Sequence, residues 1–204
     1  MSSTLVGTLK TNLEQLRRYQ ALETHAARLL GGWLPGVAHW EIKQQIGYHL
    51  WEDLRHSQII RTRLWELRIT NPDRDLDPTV REAIERLAVA QHDYELIAGV
   101  YLVLKAELLA AYKHYVATTF HVYDHPSVIA LNTIIPTLEH QITWAAQVVN
   151  EQANTGAKRR QVKRWQQYAQ DVIAAIGGVN GDATKTDFPV PPPGYASLLP
   201  FAEA

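Results

Sequence analysis

Cysteine is absent from all 204 residues, which removes a whole set of chemistries. No disulfide can form, no thiolate can act as a nucleophile, and no cysteine-bound zinc or iron–sulfur cluster can be held. Histidine and the carboxylates remain as the strong metal ligands. A dominant charge is missing too. Twenty basic residues stand against 21 acidic ones, a net charge of -1, which leaves no basic field for a nucleic-acid partner. No apolar run approaches the roughly 20 residues that span a bilayer. The N-terminal stretch MSSTLVGTLK lacks the apolar centre of a signal peptide. These exclusions predict a cytoplasmic protein with no membrane or nucleic-acid partner. There is no glycine-rich phosphate loop, no Ser-His-Asp order and no haem-attachment motif. Period-two alternation, the mark of a half-buried strand, is also missing.

What the chain does have is a 3.6-residue apolar period almost everywhere, with 46% hydrophobic and 20% charged residues. That is a globular composition in a chain long enough for a substantial core. The pattern predicts an all-α protein. A first helix covers about residues 4–30 and ends at Gly31-Gly32, and a second covers about 38–69 and stops before Asn71-Pro72. The polar connector NPDRDLDP leads to Asp77-Pro78, an N-cap followed by a first-turn proline. A third helix is expected from there to about 119, with an irregularity near Gly99. The turn FHVYDHP and Pro126 open a fourth that reaches about 153. A basic fifth helix, KRRQVKRWQQYAQDVIAAI, ends at Gly177-Gly178. The bundle domain is placed at residues 1–180, and 181–204 is read as an extended Pro-rich strap anchored by Phe188, Tyr195, Leu198 and Leu199.

Residues 49–56, HLWEDLRH, place His49, Asp53 and His56 on one helix face, since each residue advances about 100°. That face also carries Ile42, Ile46, Ile60 and Leu64, so the trio sits in an apolar stripe. The same wheel puts Glu23 at the centre of Leu16, Tyr19, Ala26 and Leu30 in helix one. In helix three it puts Glu107 among Leu96, Val100, Val103 and Ala110, with His114 further along. In helix four it puts Glu139 among Val128, Ile135, Ile142 and Ala146. Each long helix is thus expected to carry one acid on its inward face. Four converging carboxylates would cost several kcal/mol each by desolvation unless a cation joins them. Pro136, one turn before Glu139, is expected to kink helix four. The other histidines read as surface or turn residues, with His92 undecided. Trp33, Trp40, Trp51 and Trp65 read as bundle packing, and KRRQVKR as a solvated face or a docking site for an acidic partner.

One carboxylate from each of two helices, with a carboxylate-x-x-His from each of the other two, resembles the ligand set of the ferritin-like di-iron carboxylate proteins. Glu23 and Glu107 correspond to the single acids and Asp53-x-x-His56 to one paired motif, with aspartate for glutamate. The stretch WEIKQQIGYHLWEDLRHSQIIRTRLWELR also looks like uncharacterised ferritin-like domains, and the resemblance covers about residues 5–153. It implies a four-helix bundle of two antiparallel hairpins joined by a crossover. It departs from that pattern where histidine should follow Glu139 by three residues, because position 142 is isoleucine. His49 is a candidate replacement, and a site for one ion rather than two stays open. The spacings Glu107-x6-His114 and His49-x3-Asp53-x2-His56 are also similar to those of haem-oxygenase-like di-iron oxidases, in a different chain order.

The expected metal ligands are therefore Glu23, His49, Asp53, His56, Glu107, His114 and Glu139, holding one or two iron ions, with manganese as the alternative. The resemblance implies a non-haem oxidase or oxygenase acting with O2 on a small organic substrate. Iron handling, and a non-enzymatic bundle with a hydrogen-bonded polar core, are the other readings. The sequence leaves a homodimer open.

Overall fold

The computed structural model describes residues 2–72 and 77–195, with side chains described from Lys10 onward. The described residues are helical and contain no strand. No helix among them is long and apolar enough to cross a membrane. Helix α1 is Ser2–Trp33 and α2 is Trp40–Glu66. A short connecting helix is α3, Pro78–Leu87. Then come α4, Asp93–Gly99, a π-helical turn at Val100–Lys105, and α5, Ala106–Thr118, which together form one continuous rod. Helices α6, His121–Gln152, and α7, Gly156–Ala175, complete the chain.

Contacts between side chains fix the directions. Ser57 of α2 meets Gln20 and Thr24 of α1, while Leu50 lies against Gly31, so α1 and α2 are antiparallel. Arg63 meets Ser127 and His49 meets Trp144, which makes α2 and α6 antiparallel. Glu23 meets Tyr112, and Asn12 meets Thr119 just past α5, giving the same relation between α1 and α5. Lys105 with Gln141 and Tyr115 with Asp124 do so for the α4–α5 rod and α6. That rod and α2 run parallel, since His49 faces Tyr101 and Asp53 faces Lys105. The chain between them must therefore return along the length of the bundle. Helix α3 lies in that crossover, and α7 covers the outer side of α4 and the π-turn.

Local signals explain most boundaries. Helix α2 closes where Arg68 turns to φ 68°, with Ile69 N–H reaching the Leu64 carbonyl. Helix α7 starts at Thr155, whose hydroxyl accepts from Lys158 N–H. It ends at Gly177 and Gly178, both at positive φ. At Gly177 a Cβ would lie 2.7 Å from the Ala183 carbonyl oxygen, so only glycine fits that turn. Arg18 reaches across from α1 to cap the same end, donating to the carbonyls of Ile176, Gly178 and Val179 at 2.7–3.0 Å.

Three expectations need correction here. The third helix is not one piece, because Glu95 caps a new start by accepting from the N–H groups of Gln91 (2.9 Å) and His92 (3.1 Å). Helix α6 begins at His121 rather than Pro126, and both Pro126 and Pro136 sit on its exposed side, where a freed carbonyl can meet solvent. Trp40, Trp51 and Trp65 are exposed on the outer face of α2 rather than packed, with Arg55 and Arg61 stacked over the last two. In the tail, Phe188 lies under Arg86 and Tyr195 stacks on Trp165 at 5.0 Å. Leu198 and Leu199 lie outside the described residues.

Asp77 caps α3 as its sequence suggests, accepting from Thr79 N–H at 3.1 Å and pairing with Lys185. Desolvation raises its carboxyl, but the bonds from Lys185 and Thr79 outweigh that and bring its pKa to about 2. The folded value lies below the unfolded one of roughly 3.9. The stabilisation is therefore full above about pH 4 and fades as pH falls toward 2. Asp77→Ala is expected to cost about 1 kcal/mol at pH 7. Urea unfolding of variant and parent should show that gap shrinking at pH 2.

Candidate metal centre

Helix α2 turns one apolar stripe inward and α1 is buried all round from Tyr19 to Glu23, and each carries an acid in its buried middle. Glu23 and Asp53 are fully buried, and His56 is nearly so. One ligand atom from each of these three lies within 4.8 Å of the other two. Ligand atoms about 2.0–2.2 Å from an ion lie at most about 4.4 Å apart, so shifts of a few tenths of an ångström close the group on a cation. Two polar atoms of these side chains lack a hydrogen-bond partner. Glu23 Oε1 accepts from the Tyr112 hydroxyl at 2.9 Å, but Glu23 Oε2 has no partner. His56 Nδ1 has none either, and at 3.6 Å from Glu23 Oε1 it is too far for a hydrogen bond.

Asp53 is compensated differently. Lys105, fully buried in the π-turn, donates from Nζ to both Asp53 oxygens at 2.7 Å and to Gln141 Oε1 at 2.7 Å. Gln141 in turn donates to Glu52 Oε2 at 2.8 Å and Asp53 Oδ1 at 3.2 Å. The Lys105 ammonium also lies 4.3 Å from the Tyr101 ring centroid. Burial pushes the Asp53 carboxyl up, and the ammonium opposes that push.

His49 is buried but stands apart from the three clustered residues. Its Nε2 meets Gln45 Nε2 at 2.9 Å and its Nδ1 meets the Tyr101 hydroxyl at 3.1 Å. Burial, then the charges of Lys105 and His140, push its pKa down to about 3, so the ring is neutral. An amide nitrogen donates, so Nε2 accepts and Nδ1 carries the proton toward Tyr101. Trp144 packs edge-on against the ring at 4.7 Å. Gln45 and Trp144 also line an open groove of about 410 Å³ between the start of α2 and the end of α6. A polar connection thus runs from that groove inward to Tyr101.

Glu107, His114 and Glu139 are not brought to this cluster. Glu139 is exposed and pairs with Lys113 at 2.6 Å, and His114 is exposed on α5. Glu107 is half-buried, with its carboxyl raised by desolvation. In α6 the inward face is Ser127, Leu131, Ile134, Leu138, Gln141 and Ala145, one residue away from the expected one. Its polar members hid it from a hydrophobicity wheel. In the α4–α5 rod two faces are buried, because α7 covers the back: Gly99 meets Trp165, where a Cβ would lie 2.8 Å from Nε1. The wheel picked a neighbouring face, whereas Tyr101, Lys105 and Tyr112 meet His49, Asp53 and Glu23 in the bundle interior. Glu95, another acid on this rod, is fully buried but serves as the cap of α4.

Lys105 and Gln141 escaped the sequence reading, which weighed only acids and histidines. The signal was present, since Lys105 follows Tyr101 by four residues and precedes Leu108 and Tyr112 by three and seven. No known family, curated protein or solved structure matches this chain.

Proposed function

We propose that this protein binds one divalent transition-metal ion, iron or manganese, through Glu23, Asp53 and His56. The observation that carries the reading is the pair of buried, unpartnered ligand atoms, Glu23 Oε2 and His56 Nδ1, beside Asp53. Each orphaned buried polar group costs about 1–3 kcal/mol, and an ion between them would remove both penalties. Two carboxylates and an imidazole suit Fe or Mn, and a three-residue set leaves coordination positions open. An ion held there would supply redox chemistry with O2, which makes a non-haem oxidase or oxygenase of a small organic substrate the favoured activity. Within the chain, Tyr112 would hold Glu23 in place, Lys105 would fix Asp53, and the apolar walls would keep water away. The groove at Gln45 and Trp144, linked through His49 to Tyr101, is the proposed approach to the interior. The antiparallel pairs α1/α2 and α5/α6, with a lengthwise crossover between them, support a ferritin-like arrangement for the bundle.

Metal analysis of protein purified without chelator tests the reading. We expect about one ion per chain in the parent. His56→Ala should weaken binding by more than the 10–100-fold typical of losing a residue that only orients a ligand. Its helical circular dichroism should be retained. Equal metal content in both proteins would overturn the proposal and leave a metal-free polar core. Consumption of O2 after anaerobic Fe(II) loading then separates an oxidase from a protein that only handles iron.

A further inference from the structure

Three oxygens surround Lys105 Nζ at 2.7 Å, two from Asp53 and one from Gln141, and the Glu52 carboxylate stands behind Gln141. Oxygen donors around a desolvated positive charge are also what a hard cation requires. Asp53 therefore faces two cation positions, one shared with Glu23 and His56 and the other filled by a side chain. We infer that the Lys105 ammonium is the built-in occupant of a second cation position, and that it limits the bundle to a single metal ion. The inference rests on the proposed metal site at Glu23, Asp53 and His56, and it assigns that site's stoichiometry to one residue.

The physical argument is a competition. A buried carboxylate needs a positive partner, and the ammonium supplies it without leaving the chain. A second divalent ion beside Asp53 would have to displace the ammonium from three short hydrogen bonds, or sit close to a like charge in a low-dielectric interior. Neither is favourable while Lys105 is present. With Lys105 removed, both Asp53 oxygens and Gln141 Oε1 are left facing a cavity the size of the lost side chain, with Glu52 behind Gln141. The placement of Gln141 fits the same logic. This α6 position contributes a neutral oxygen, which suits a singly charged ammonium.

Anaerobic Mn(II) titration followed by electron paramagnetic resonance, with metal analysis of the desalted protein, tests the inference on the parent and Lys105→Ala. The parent should saturate at about one ion per chain with the six-line signal of isolated Mn(II). Lys105→Ala should saturate at about two, with that signal broadened by coupling between neighbouring ions. In chelator the variant's Tm should fall by roughly 10 °C, and Mn(II) should restore most of that loss. Lys105→Ser, which also vacates the ammonium position and leaves the cavity open, carries the same expectation if the alanine variant does not fold. One ion in both parent and variant would overturn the role of Lys105 and leave the metal site standing. Two ions in the parent would also overturn it. No ion in the parent would overturn the metal site itself, and the limit to one ion with it.

Discussion

In metal-free protein, Asp53→Ala should cost about 3–5 kcal/mol of stability, because it leaves the Lys105 ammonium buried without its counter-charge. Lys105 is 0% exposed, and after the substitution it would keep only Gln141 Oε1 and the Tyr101 ring. Urea unfolding in chelator measures the loss. Asp53→Leu combined with Lys105→Met should recover most of it, since a buried ion pair replaced by apolar side chains of similar size is often neutral or stabilising. That recovery separates the cost of a stranded charge from the worth of the pair. A single-variant cost below about 1 kcal/mol would mean that water reaches Lys105, contrary to its burial.

This pair also marks where sequence reasoning succeeded and where it stopped. Helix α2 buries one face, while α1 is buried on every side from Tyr19 to Glu23 and keeps polar residues exposed in its earlier turns. There the periodicity identified Glu23, His49, Asp53 and His56 as interior residues, and the structure buries all four. The all-helical character and most helix ends were legible from caps and glycines. The inward faces of the other two helices were not. In α6 the buried face carries Asp124, Ser127 and Gln141, so the apolar flank with Ile135 and Ile142 looked more like core. In the α4–α5 rod, α7 buries a second face of α4 and the π-turn, which leaves the polar side only in α5 and blurs the phase. Lys105 was hidden by its residue type, because a lysine on a helix ordinarily reaches solvent. The trace of its burial is the run of Tyr101, Leu108 and Tyr112 on its own helix face.

A second buried acid shows what a carboxylate with a purely structural role looks like here. Asp124, in the first turn of α6, accepts at Oδ2 from Tyr115 (2.6 Å), Thr119 (2.7 Å) and Asn12 (3.1 Å). Its Oδ1 accepts from Ser127 at 2.5 Å, with the Arg63 guanidinium 3.7 Å away. Both oxygens are satisfied, and the donors come from α1, α5 and α6 and from Thr119 beyond α5, with Arg63 of α2 as the ion-pair partner. Glu23 has one donor and one bare oxygen. That contrast is the reason to read Glu23 as a ligand and Asp124 as a staple at one end of the bundle. Asp124→Ala should leave the hydroxyls of Tyr115, Thr119 and Ser127 without their acceptor, at a cost of about 1–3 kcal/mol for each that stays dry, while Arg63 keeps Glu66 and Ser127. Arg63 and Asp53 are ten residues apart on α2, about 15 Å along the helix, so the two sites should act independently. Metal content at saturation should therefore match the parent's while the urea midpoint falls. If metal binding falls with it at temperatures where the helices remain intact, the two polar networks are coupled, and the assignment of Asp124 to structure alone fails.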